Sequence, residues 1–360
     1  MFRSVQIMGY RGFSRYEMGD LARVNLLVGK NNSGKTSVLE ALYLLGAGGD
    51  PAALWRIANR RGERFDGRRP EIDVSHMFMG HELSVGSSFS VAGTNGSLPQ
   101  SVVLTIEDRA ERPDQNELNL LGDEFELSRR RLLISIASTA SPRPQILQLS
   151  RQGGLDPEIT RRLPGSRQDA EPNVHFISTD SLAGNELVRH WDQVQLTPNE
   201  ELVLGALRFV DPSIEQIRSF GSGAVYGPRG GFIVKRKGEA VPFPLGSLGD
   251  GAWRMLAMAI VLTQCAGGML FVDEIDTGLH YTVMADMWRM IYSAAKQFDV
   301  QVFASTHSYD CVYSLSTICR SAKTEDAEIT IQRIEADRST ATPFSGAEIR
   351  TAAERQIEIR

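Results

Sequence analysis

The chain has 360 residues, 42% of them hydrophobic and 23% charged, with a formal net charge of −5. That is room for one large domain or two lobes with real cores, and it excludes a uniformly basic, nucleic-acid-coating surface while leaving a local basic groove open. No run of about 18 apolar residues is present to span a bilayer. The opening "MFRSVQIMGYRGF" lacks the long apolar centre of a secretion signal. Cys265, Cys311 and Cys319 show no metal-like spacing and read as reduced core thiols, so a cytoplasmic protein is expected.

The first element is a strand carrying Phe2, Val5 and Ile7, followed by a turn over Gly9 to Gly12. Val24-Asn25-Leu26-Leu27-Val28 is a short apolar run, the pattern of a buried strand. It runs into "GKNNSGKT", Gly29 to Thr36, which fits G-x-x-x-x-G-K-[ST] residue for residue. From Thr36 to Leu45, Val38, Leu39, Leu42 and Leu45 share one helical face. The loop therefore joins a strand to a helix N-terminus, where unpaired N–H groups and the macrodipole attract phosphate. Gly29, Asn31, Asn32, Ser33, Gly34, Lys35, Thr36 and Ser37 are the expected nucleotide-binding residues. Lys35 would reach the β- and γ-phosphates and Thr36 would hold Mg²⁺.

Between Asp50 and Glu171 the pattern changes to short β-like runs, "SVVLTIED", "RLLISIAS" and "PQILQLS", separated by polar Gly/Pro-rich stretches. This predicts an antiparallel β-rich subregion with mobile loops. The basic runs "NRRGERFDGRR" and "SRRRLL" border acidic residues and read as solvated faces. Val174 to Thr179 reads as a returning strand, Asp180 to Phe220 as helical with a stop at Asp211-Pro212, and "GAVYGPRGGFIVKRKGEAVPF" as a hairpin turning at Gly227-Pro228 and Gly230-Gly231. Helix and strand alternate from there, as in a parallel α/β sheet, ending in the strand "AEITIQRIEA" and a terminal helix.

Three further elements carry chemistry. In "GGMLFVDEIDTGLHY" an apolar strand, Met269 to Val272, ends in Asp273-Glu274, roughly 240 residues after the phosphate loop. Asp273 is placed to hold Mg²⁺ through its water shell, and Glu274 to polarise the attacking water. In "DVQVFASTHSYD" the next strand ends at Thr306-His307, and the imidazole of His307 could bond the γ-phosphate or position water. In "FPLGSLGDGAWRMLAMAIVL" a glycine-rich turn, Gly246 to Gly251, opens an apolar helix, Ala252 to Leu262, a second helix N-terminus suited to an anion.

Taken in order, these elements resemble the ABC-type ATPases: phosphate loop, signature turn at Ser247–Gly251, Asp273–Glu274, a D-loop aspartate at Asp276, and a switch histidine at His307. The opening "FRSVQIMGYRGFSRYEM" with the phosphate loop is similar to the RecF, SMC and OLD group, and "VDEIDTGLHY", "LGDGAWRM", "STHSYDCV" and the closing "ERQIEIR" are most like stand-alone OLD-type ATPases. The resemblance implies an α/β fold, a P-loop NTPase with an ABC-type ATPase head. It would have a mixed or parallel sheet, an inserted β-rich subregion and a helical lobe, as one domain over residues 1–360 with approximate lobes 1–170 and 171–360. It implies ATP and Mg²⁺ as cofactors and two protomers clasping two ATP molecules. Ser247, Gly249 and Gly251 of one protomer would touch the γ-phosphate held by the other's Lys35. Glu274 would be the catalytic base, His307 its companion, and Arg11 a residue near the nucleotide. The turn departs from Leu-Ser-Gly-Gly-Gln, no Q-loop glutamine is evident, and about fifty residues follow His307, fewer than the Toprim nuclease domain of OLD nucleases needs.

The expected function is an ATPase subunit, a homodimer or higher homo-oligomer, that controls a separately encoded effector in antiphage defence of the OLD or PARIS kind. A Toprim-like nuclease is one candidate for that effector. The alternatives are a RecF-like, DNA-binding repair ATPase and an ATP-binding scaffold with negligible turnover. DNA is a conceivable partner in the first two, and a membrane in none.

Overall fold

The computed structural model describes residues 1–65, 71–96, 98–110, 130–150, 152–156, 158, 173–180, 182, 184–220, 231–321 and 328–359. In chain order its elements are β1 (Phe2–Tyr10), β2 (Phe13–Met18), β3 (Val24–Val28), α1 (Lys35–Gly46), α2 (Pro51–Arg61), β4 (Ile72–Asp73), β5 (Ser88–Asn95), β6 (Leu98–Ala110), β7 (Arg130–Ser138), β8 (Gln145–Gln148) and β9 (Gly154–Leu155). There follow β10 (Val174–Ile177), α3 (Gly184–Asp192), α4 (Glu200–Val210), β11 (Ile214–Ser219), β12 (Phe232–Arg236), β13 (Phe243–Pro244), α5 (Asp250–Gln264), β14 (Met269–Val272), α6 (Tyr281–Gln297), β15 (Gln301–Ser305), α7 (Tyr309–Ser321), β16 (Ile329–Arg333), β17 (Thr342–Ser345) and α8 (Gly346–Glu354). Backbone contacts divide them into two units: Met1, Met18–Leu39 and Pro172–Arg360 in the first, Phe2–Glu17 and Glu40–Glu171 in the second. The phosphate loop thus groups with the C-terminal half.

The first unit is built on a six-stranded sheet of order β10-β14-β15-β3-β16-β17. Its first five strands are parallel and β17 runs antiparallel to β16. Every residue of β3 and β15 is buried, which is why these strands read as largely apolar runs, broken by Asn25, Gln301 and Ser305, rather than alternating ones. Phe176, Phe271 and Phe303 lie in register across β10, β14 and β15 and stack at 6.3 and 5.4 Å. Helix α5 is buried from Ala252 to Thr263, all round its circumference, and shares one core with Trp191 of α3, Leu207 of α4 and Trp288 of α6. A helix so enclosed needs apolar residues on every face, as its sequence provides.

The stretch Asp180 to Phe220 is not helical throughout. After Asp211-Pro212 the chain forms β11, which pairs antiparallel with β12, as β12 does with β13. Ile214 and Ile217 gain burial in that small sheet, which local helix propensity cannot supply. The expected hairpin turn at Gly227-Pro228 and Gly230 lies outside the described residues; within that stretch β12 pairs with β11 before it and, across a turn after Arg236, with β13.

The second unit centres on a sheet of order β2-β1-β5-β6-β7-β8. Every pairing from β1 to β8 is antiparallel, as the short β-like runs predicted. Val102, Leu104 and Ile106 of β6 are buried and alternate with partly exposed neighbours, the period-2 signature of a sheet with one packed face. The region is not purely β: α2 starts at an Asp50 cap that accepts from the Ala52 N–H, has Pro51 in its first turn and ends at a left-handed Gly62. Those signals stand in the sequence as Asp50-Pro51 and Gly62. Among the described residues, no helix is long and apolar enough to cross a membrane, and the three cysteines are free and buried.

Candidate functional site

The parallel strands of the first unit point their C-terminal ends the same way. There β3 delivers the phosphate loop, β14 delivers Asp273 and Glu274, and β15 delivers Thr306 and His307. Ligands of open α/β sheets bind at this edge because the strand-to-helix turns expose backbone N–H groups and side chains together.

The loop's close curl depends on its glycines. Gly29 has φ +144°, and a Cβ there would lie 2.3 Å from the Ile334 carbonyl just beyond β16. Only glycine can pass so near the neighbouring strand end. Gly34 (φ +97°) and Asn32 (φ +61°) complete the left-handed turns, and Asn32 is a residue type that tolerates them. The Lys35 ammonium is buried and donates to the Gly29 and Lys30 carbonyls at 2.8 and 3.0 Å. Two of its three N–H groups are thereby used within the loop, and the third remains for a phosphate oxygen. Burial holds the Lys35 pKa below its usual range, against the opposing pull of Glu274 and Asp273. Ser33 Oγ is buried with no hydrogen-bond partner among the described residues, an orphaned polar atom inside a cradle shaped for anions.

The Thr36 hydroxyl donates to the Asp273 carboxylate at 3.0 and 3.2 Å. Ser305 Oγ donates to the same carboxylate at 2.5 Å and accepts the Glu274 backbone N–H at 2.9 Å. Hydroxyl and carboxylate therefore sit side by side, an all-oxygen donor set that suits Mg²⁺. The residues present fit a magnesium-bound nucleoside triphosphate.

Glu274 is a non-glycine residue at φ +44°, a conformation that surrounding contacts must hold in place. Arg254 of α5 provides several. It is buried, and its Nη2 donates to the carbonyls of Asp273 and Glu274 at 2.6 and 3.0 Å, while Nη1 donates to the Ser178 carbonyl. Burial lowers its pKa to about 10, opposed by Asp273, Asp276 and Glu274. Glu274 Oε1 lies 3.3 Å from His307 Nδ1, and both side chains are partly open to solvent. A carboxylate beside an imidazole at an open strand end can accept a proton from water or hold that water in place. Thr306 Oγ1 donates to Asp276 at 2.6 Å, tying the segment after Glu274 to the end of β15.

The signature turn lies in the same unit. Leu245–Leu248 is a short 3₁₀ segment, Gly249 takes φ +84°, and α5 begins at Asp250. The helix extends two residues beyond the predicted Ala252 to Leu262 at each end. Ser247 and Gly249 are exposed. A Cβ on Gly251 would meet the Gly278 carbonyl at 2.7 Å, and one on Gly278 would meet Asp250 at 2.9 Å, so the turn packs backbone to backbone against the segment carrying Asp276. Arg11 belongs to the second unit. It is buried at φ +51°, with its guanidinium on Glu63 at 2.6 Å and on Glu40 at 3.0 Å. Burial pulls its pKa down, but Tyr10, Glu63 and Glu40 outweigh it and hold the group above its usual range.

Arg254 and Ser305 were not singled out from the sequence. Arg254 had a signal, since a buried arginine in an otherwise apolar helix requires a polar partner. Ser305 had none beyond its place before Thr306-His307.

This fold and site define a P-loop nucleoside triphosphatase. The family model described as "AAA domain, putative AbiEii toxin, Type IV TA system" matches residues 24–310, and the chain belongs to that family. Among curated relatives, an ATP/GTP phosphatase of Helicobacter pylori is 21% identical over 344 residues, covering 89% of each chain. The RecF DNA replication and repair protein of Clostridioides difficile is 39% identical over 46 residues, 13% of this chain and 12% of that protein. Among solved structures, the SMC head domain from Thermotoga maritima matches with a TM-score of 0.43 and 11% identity, covering 96% of this chain and 98% of the other. The Pyrococcus furiosus Smc head bound to the C-terminal domain of ScpA gives 0.47 and 10%, covering 99% and 98%.

Proposed function

We propose that this chain is an ATPase that hydrolyses ATP as a homodimer and uses the ATP-bound state to control a separately encoded effector. The observation that carries the reading is Glu274, oriented by Ser305 and Arg254 and paired with His307. It ends the strand whose Asp273 meets Thr36 of the phosphate loop. Lys35 binds the β- and γ-phosphates, Glu274 takes the proton of the attacking water, and His307 positions Glu274 and that water. Thr36 and Asp273 hold Mg²⁺, which when bound neutralises charge on the phosphates. Ser247 and Gly249, which are exposed, and Gly251 behind them reach the γ-phosphate on the partner protomer. Arg11 contributes near the nucleotide only if it exchanges a carboxylate partner for phosphate.

The ATP/GTP phosphatase name of the H. pylori relative supports hydrolysis. The family's description as a putative toxin of a type IV toxin–antitoxin system supports a role in a two-component system; a separate effector, of which a Toprim-type nuclease is one class, and a place in antiphage defence are our extension of it. The short RecF match favours a second reading, a DNA-binding repair ATPase.

The deciding experiment is the solution mass of Glu274→Gln by light scattering, with and without ATP–Mg²⁺, alongside phosphate release. Retained binding, turnover reduced by about 10²–10⁴ and an ATP-dependent shift from monomer to dimer are expected. A monomer at saturating ATP, or undiminished turnover, overturns the reading. ATP-dependent DNA binding that weakens steeply with salt would move the function to repair.

A further inference from the structure

Outside the nucleotide site, the second unit brings two histidines together on consecutive short turns after β4. His76 Nδ1 and His81 Nδ1 face each other at 3.4 Å, with their rings 5.3 Å apart and inclined by 59°. That separation is long for an N–H···N hydrogen bond. It is the spacing of two nitrogens on one ion: ligands about 2.0–2.1 Å from a tetrahedral zinc stand about 3.3–3.4 Å from each other.

The surroundings set up the same arrangement. His76 Nε2 lies 3.4 Å from Asp73 Oδ2, and Asp73 is itself fixed by accepting the Ser75 N–H at 2.9 Å. At that distance the contact is electrostatic rather than a hydrogen bond; a carboxylate facing Nε2 favours the tautomer with its proton there and the Nδ1 lone pair towards His81, the sense in which carboxylates orient metal-binding imidazoles. His81 is held in the left-handed region at φ +61°, directly after Gly80 at φ +83°, with its N–H on the Phe78 carbonyl. Arg11 fixes the first turn from behind. Its Nη1 donates to the His76 carbonyl at 3.2 Å and its backbone N–H to the Met77 carbonyl at 3.0 Å. His76 is partly exposed and His81 exposed, so water or an incoming ligand can complete the coordination shell.

We propose that His76 and His81, with Asp73 orienting His76, form a two-imidazole chelate for a borderline divalent transition cation such as Zn²⁺ or Cu²⁺, distinct from the Mg²⁺ expected at Thr36 and Asp273. Two neutral nitrogens select these ions over Mg²⁺, which takes oxygen ligands.

The test is Zn²⁺ titration of the tag-free full-length protein in excess Mg²⁺, by calorimetry, with ¹⁵N-imidazole spectra of the same samples. The wild type should bind one Zn²⁺ per chain, with the Nδ1 resonances of His76 and His81 shifting together. His76→Gln and His81→Asn, the latter chosen because asparagine tolerates positive φ, should each weaken that event by at least about tenfold. Asp73→Asn should weaken it by about 10–100-fold, as removal of an orienting carboxylate does elsewhere. Equal Zn²⁺ affinity in the wild type and both histidine variants overturns the proposal. So does half a Zn²⁺ per chain with a doubled mass, which would place the ion between molecules. The wild-type spectra decide the matter even where a variant proves unstable: Zn²⁺ that leaves both Nδ1 resonances unmoved refutes the chelate.

Discussion

Two charge clusters, one in each unit, are held in opposite ways. In the second, Arg11, Glu40, Glu63 and Arg61 neutralise one another: Glu40 is fully buried, with Arg11 at 3.0 Å and Arg61 at 2.8 Å. In the first, at the strand ends, Lys35 rests on backbone carbonyls and Asp273 on the hydroxyls of Thr36 and Ser305, with the Glu274 carboxylate beside His307. A closed network stabilises a fold. One whose charges rest on neutral dipoles keeps capacity for a ligand's charge. If that contrast is right, substitutions in the two units must fail differently.

The largest effect belongs to Lys35→Ala, which removes a cation facing two phosphates. Phosphate release should fall by about 10²-fold or more, while the melting temperature of the nucleotide-free protein stays within a few degrees. Turnover near the wild-type rate would remove the loop from the site. Glu274→Gln, with the mass shift described above, loses a comparable share of turnover but keeps nucleotide binding, which separates chemistry from grip.

Glu40→Gln tests the other unit. It leaves Arg11 with Glu63 but strips a buried carboxylate from two guanidiniums, and should cost about 3 kcal/mol of stability by denaturant unfolding. Nucleotide affinity measured well below the melting point should hold. A variant as stable as the wild type would show the network to be decorative. Arg254→Met sharpens the contrast from inside the first unit. The carbonyls of Ser178, Asp273 and Glu274 lose a donor, so a loss of about 1–3 kcal/mol should accompany slower turnover, because Glu274 loses its support. Stability lost with turnover intact would make Arg254 purely structural.

The smallest effect is a pH dependence. Burial lowers the Lys35 pKa in the folded protein, so its ammonium is disfavoured by the fold below that pKa, and raising the pH through it lifts the penalty. The ammonium is also the form that binds phosphate. Affinity for ATP should therefore begin to fall on the alkaline side before the ordinary lysine value of 10.5 is reached. Fluorescent-nucleotide titration against pH measures it. An onset at or above the ordinary value would mean the ammonium is not desolvated.

The sequence by itself determined the phosphate loop, the strands that precede Asp273 and His307, and the apolar helix after Gly251. Each is a local pattern: a fixed glycine spacing, a fully apolar run, a turn before a helix. Helix α2 was equally local, through Asp50, Pro51 and Gly62, and went unread because the neighbouring β-like runs dominated the window. The tertiary structure alone decided what local pattern cannot encode. Ile214 to Ser219 became a strand because β12 was there to pair with it. Ser305 and Arg254 became supports for Glu274 because β15 lies beside β14 and α5 runs beneath them. Arg11 met Glu40 and Glu63 rather than solvent, and His76 met His81 at a metal's spacing. Those are meetings of residues far apart in the chain or set by exact turn geometry. Their energy comes from burial and from satisfying buried polar groups, terms that exist only once the chain has closed on itself.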